Sequence, residues 1–94
     1  MDYYCGGNSL APRPQDVRID PATGLLLTTH GVSVFDRPDG LERFGGAIRV
    51  TAVPATLGII RRGRNPHHFE IVPAQPMTMT DYEDALSRIV LVPV

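Results

Sequence analysis

The sequence predicts a small α+β domain in which short strands outnumber helix. Three observations point there. Six or seven segments, each alternating or briefly apolar, are cut apart by nine prolines and nine glycines. One stretch near the C-terminus instead carries apolar residues at helical spacing. Finally, 94 residues with 43% hydrophobic and 20% charged content suffice for a single domain, 1–94, with one modest core.

Residues 1–15 are rich in Gly, Asn and Pro and read as an extended arm or loop. Asp16 to Asp20 alternates as a half-buried strand does. Pro21 to Gly24 is a turn, and Leu25 to Thr29 returns as a second strand of a hairpin. His30 to Asp36 fits neither period. Pro38 to Phe44 can form one or two helical turns capped by Asp36, ended by Gly45-Gly46. Strands follow at Ala47–Ala52, Leu57–Arg61 and His67–Pro73, separated by Pro54-Ala55-Thr56 and by the turn Arg62 to Pro66. The main helix is expected near Thr80–Arg88. Thr80 and Glu83 make its capping box, and Tyr82, Ala85, Leu86, Ile89 and Val90 form its buried stripe. Residues 89–92 also satisfy a final strand.

Composition excludes several classes. The longest apolar runs, at 24–27 and 89–92, fall far short of the ~20 residues of a membrane helix. The start, Met1-Asp2-Tyr3-Tyr4, is acidic and aromatic, unlike a signal peptide, so a cytoplasmic location is expected. One cysteine, Cys5, permits no internal disulfide. The net charge of −1 gives no bulk attraction to nucleic acid. All nine basic residues are arginine, a bias that genome composition explains as readily as phosphate binding.

Candidate chemistry begins with His67-His68. Adjacent strand residues point to opposite faces, so the two do not readily share a metal ion. His68 and Glu70 do share a face, about 7 Å apart, and suit an acid–base or orienting pair. The competing reading is one packed histidine and one exposed one. Ser33 follows Gly31-Val32 and reads first as the start of a turn. Cys5, beside two glycines, is either a nucleophile or incidental. Arg61-Arg62-Gly63-Arg64 either holds phosphate or is a solvated turn; without interleaved aromatics it argues weakly for nucleic acid.

Two segments carry a resemblance: Gly31-Val32-Ser33-Val34-Phe35-Asp36, and His68-Phe69-Glu70-Ile71-Val72-Pro73-Ala74-Gln75-Pro76-Met77. In order and spacing they resemble the small toxins of the type VI secretion Tse-two effector family, whose fold is related to ADP-ribosyltransferases. The likeness covers most of residues 4–86, and the Pro-Ala-x-Pro-Met run is its most specific part. It implies an ADP-ribosyltransferase-like pair of split, mainly antiparallel sheets and an NAD site. It also implies a cytoplasm-acting toxin of toxin–antitoxin type, neutralised by a cognate antitoxin or immunity protein and acting on an unknown target macromolecule. Ser33 falls on the family's functional serine and His68 on its histidine; Glu70 is the candidate carboxylate, giving Ser33, His68 and Glu70 as catalytic residues. Tyr4, Cys5, Asn8, Arg13 and Val32 are the expected cofactor contacts. Two positions depart from the family: Val32 replaces a threonine, and Cys5 replaces an arginine of the first strand. The resemblance thus leads to an expected cleft with Ser33 and His68 on its lining and the Tyr4–Ser9 arm as one wall. Two alternatives stand beside it: an RNA-directed toxin using His68 and the Arg61–Arg64 cluster, and a non-enzymatic interaction module.

Overall fold

Six of the short segments pair into strands: β1 Tyr3–Gly6, β2 Val32–Phe35, β3 Ala47–Thr51, β4 Leu57–Arg61, β5 His68–Pro73 and β6 Val90–Pro93. One helix, α1 Met79–Ser87, precedes the last strand. A computed structural model describes residues 2–7, 10–41 and 45–94. Every pairing is antiparallel, in the order β4-β5-β2-β1-β3-β6. The expected two sheets are therefore the halves of one. β4-β5-β2 and β1-β3-β6 meet through a single register pair, Tyr4 with Phe35, whereas the other neighbours share four or five.

Residues opposite one another in an antiparallel pair share a face. One face carries Tyr3, Cys5, Val32, Val34, Val50, Leu57, Phe69 and Ile71, and it is the apolar one. Leu26 and the Tyr82, Ala85 and Leu86 stripe of α1 pack against it, and Val34, Leu26, Ile71 and Tyr82 are fully buried. The other face carries Tyr4, Ser33, Phe35, His68 and Glu70. Among the described residues, no helix is long and apolar enough to cross a membrane.

Several elements differ from expectation. The N-terminal arm is in fact β1, an inner strand; its pairing comes from β3, more than forty residues away, which no local pattern reveals. The unassigned stretch at 30–36 is β2, also internal. Its alternation is blurred because Phe35, a large apolar ring, stands on the open face. Asp16–Asp20 and Leu25–Thr29 do turn back on each other, through Asp20 N–H to Leu25 O and Leu27 N–H to Arg18 O. They form one isolated bridge, Ile19 with Leu26, and no strands. Leu26 bridges Met77 as well, which ties this turn to the loop before α1.

α1 starts earlier than Thr80. Thr78 is its cap, accepting from Asp81 N–H at 3.1 Å, so Glu83 lies beyond the capping turn. Val90 leaves the helical stripe and opens β6, 51% exposed. Of the helical turns expected at Pro38–Phe44, residues 42–44 lie outside the described residues, and of the rest only 39–40 form a turn.

Candidate functional site

β2 and β5 run side by side with Ser33 opposite Glu70 and Phe35 opposite His68. That register places four site groups on the face that α1 leaves uncovered. Ser33 Oγ lies 2.9 Å from His68 Nε2. His68 Nδ1 lies 2.6 Å from the carbonyl oxygen of Arg62. A carbonyl only accepts, so Nδ1 carries a proton; with the second nitrogen unprotonated, Nε2 accepts from the serine hydroxyl. The Phe35 ring meets the imidazole edge-on, 5.6 Å between centroids, and restricts its rotation.

Among the described residues, Glu70 is the one buried charged residue, 7% exposed. Its Oε1 accepts from Gly31 N–H at 3.0 Å and lies 3.6 Å from Arg62 Nε; its Oε2 lies 3.9 Å from His68 Nε2. A buried carboxylate needs such partners, and here a backbone amide and a guanidinium supply them. The serine, imidazole, carboxylate and guanidinium therefore form one connected set drawn from β2, β5 and the β4–β5 turn.

Gly31 makes the register of β2 on β5 attainable. A Cβ there would stand 1.8 Å from Ile71 O and 2.8 Å from Tyr82 Oη. The space is filled instead by the Tyr82 hydroxyl, which accepts from Val32 N–H at 3.0 Å and donates to Ile71 O at 2.6 Å. Burial pushes the Tyr82 phenol up to about 12. The glycine's close approach is thus to β5 and α1, and Ser33 sits within a regular strand instead of a turn.

The expected cofactor contacts divide. Tyr4 shares the open face and adjoins Phe35. The side chains of Cys5 and Val32 belong to the opposite face, inside the core, at 4% and 9% exposure. Burial raises the Cys5 thiol, which disfavours a thiolate. Arg13 is engaged with Asp16, at 3.3 Å, at the start of a 3₁₀ turn. Asn8 and Ser9 lie outside the described residues.

His67 lies in the turn just before β5 instead of in the strand, and it and His68 take different partners. His67 Nδ1 pairs with Asp36 Oδ1 at 2.9 Å, a contact that only the β2–β5 register creates and that sequence reasoning missed. Among the described residues, no three metal-ligating side chains gather. His30, just before β2, is shifted down, first by desolvation and then by the positive charges of Arg62 and Arg18, with Glu70 opposing.

Two cavities contain none of Ser33, His68, Glu70 and Arg62. One of about 530 Å³ runs between the loop Ala74–Met77 and α1, so it is lined by the run that carries the sequence resemblance. Another of about 400 Å³ is lined by Phe35, Arg37, Leu41, Asn65 and His67 and shares Phe35 with the site. The site residues themselves occupy the open sheet face, and chemistry makes them the better candidate site. Comparison with known proteins gives no matching family model, curated protein or solved structure.

Proposed function

We propose that the chain is a cytoplasm-acting toxin with an ADP-ribosyltransferase-like NAD site, neutralised by a cognate antitoxin or immunity protein. The observation carrying this reading is the 2.9 Å contact of Ser33 with His68, with Glu70 beside them on one uncovered face. The sequence resemblance singles out Ser33 and His68, and Glu70 joins them as the carboxylate opposite Ser33 on the same face.

The donor set suits a dinucleotide. Ser33 and His68 present a hydroxyl and a ring nitrogen to ribose hydroxyls or a carboxamide, and Phe35 and Tyr4 present aromatic surface on the same face. NAD supplies a nicotinamide–ribose bond whose cleavage builds positive charge on the ribose. Glu70 then provides a fixed negative charge on a carboxylate that Gly31 N–H already orients. His68, oriented by the Arg62 carbonyl, holds the ribose hydroxyls in the geometry that the transition state requires.

Incubating the purified protein with NAD should release nicotinamide, and His68→Ala and Glu70→Gln should each lower that rate by about 10²-fold or more. Undiminished NAD alongside degraded RNA would replace this reading with the RNA-directed one, for which Arg61 and Arg64, exposed at the β4–β5 turn, are the candidate phosphate contacts. Neither activity, in a protein that still captures its antitoxin, would leave an interaction module.

A further inference from the structure

The guanidinium of Arg62 is held at one end only. Its Nε lies 3.6 Å from the buried carboxylate of Glu70, and among the described residues its two terminal nitrogens make no hydrogen bond. The side chain is 38% exposed, so that paired edge of N–H groups stands at the rim of the Ser33–His68 cluster. Its own carbonyl is the acceptor of His68 Nδ1, which fixes the backbone of Arg62 against the site. A guanidinium pinned through Nε with its terminal fork open matches a bidentate oxyanion.

The surroundings favour negative charge as well. Arg18 and His30 lie close enough for the charges of Arg18 and Arg62 to disfavour protonation of His30. Arg62 is the cation beside Glu70, whose oxygens are engaged by Gly31 and His68 as well. The first strand contributes no cation to this site, because Cys5 is buried on the other face.

We infer that Arg62 forms an oxyanion subsite beside Ser33 and His68, taking a phosphate or diphosphate group of the ligand. The inference rests on the proposed function only for the ligand's identity as a dinucleotide; the anion subsite has its own test. Binding draws the fork of Arg62 toward the anion and loosens its hold on Glu70, since one guanidinium cannot neutralise both fully.

The experiment titrates inorganic pyrophosphate into ¹⁵N-labelled protein at low salt and follows the Arg62 side-chain Nε–H signal. Saturable movement of that signal is expected. Arg62→Gln should weaken pyrophosphate binding by about tenfold and Arg62→Lys by several-fold, because an ammonium lacks the fork. Glu70→Gln, which removes the competing carboxylate, should tighten binding. No movement of the Arg62 signal in the wild-type protein overturns the subsite, as does Arg62→Gln binding within twofold of wild type, or weaker binding by Glu70→Gln. The wild-type signal requires no variant to fold. Nicotinamide release is scored separately. Pyrophosphate binding without it ends the NAD reading and leaves the subsite standing; release without binding does the reverse.

Discussion

Replacing Gly31 with alanine tests the packing that brings Ser33 to His68. The added methyl would meet Ile71 O at 1.8 Å, Ile71 C at 2.6 Å and Tyr82 Oη at 2.8 Å. Two of these are backbone atoms of an inner strand, so the clash cannot be relieved by turning a side chain. The start of β2 has to move away from β5. Three buried hydrogen bonds are then at risk: Gly31 N–H to Glu70, Val32 N–H to Tyr82, and Tyr82 to Ile71 O. A buried polar group left unpaired costs about 1–3 kcal/mol, so losing two of the three costs about 3–5 kcal/mol. Against a total of roughly 5–15 kcal/mol, this is severe. The melting temperature of a domain this size should fall by at least about 12 °C. Urea unfolding of Gly31→Ala beside Gly24→Ala measures it. Gly24 has φ +72° with nothing within 4 Å of a built Cβ, so its alanine variant should lose only about 1 kcal/mol from backbone strain. If Gly31→Ala loses less than about 1 kcal/mol, or no more than Gly24→Ala, the close packing of β2 on β5 is wrong.

Three further outcomes follow from the same structure. His68→Ala should lower activity while costing only about 1 kcal/mol, since the ring is on the open face; Phe69→Ala, whose ring packs against Tyr3 at 5.0 Å on the core face, should cost about 2–4 kcal/mol and spare the site, as paired thermal melts and rate assays would show. Tyr82 ionises near 10.0 when unfolded and near 12 when folded, so its contribution is intact below pH 10 and is lost as pH rises through 12; denaturant titrations should show about 2–3 kcal/mol of alkaline destabilisation that Tyr82→Phe lacks. Ala52 holds φ +56° at the end of β3 and is exposed, so Ala52→Gly should stabilise the fold by up to about 1 kcal/mol in chemical denaturation.

Legibility in the sequence followed the range of the interactions. β3 and β4 end within a residue of their alternating patterns, and β5 within one residue of its own, because each pattern records one buried and one open face. The sharing of a face by His68 and Glu70 was legible for the same reason. β1 was hidden because Tyr3-Tyr4-Cys5-Gly6 has no turn of its own, and its partners lie at 47–50 and 35. The helix start shifted from Thr80 to Thr78 because several threonines can cap and only the packing of Tyr82 chooses among them. The Ser33 contact came from the sequence resemblance, whereas Arg62 and the Asp36–His67 pair depend on β2–β5 register and on the path of the turn, neither of which leaves a periodic trace.

The order of strands also sets an order of assembly. Only β4 and β5 are near in sequence, with Arg61 opposite Phe69 and Leu57 opposite Pro73. Every other pairing joins residues thirty to nearly fifty apart, and closing such loops has to precede any contact that rewards it. His68, Glu70 and Arg62 all ride on that one local hairpin. Ser33 arrives with β2, when the distant pieces dock. The hairpin is therefore the natural nucleus, and the serine–histidine contact is a late event that reports completion of the whole fold.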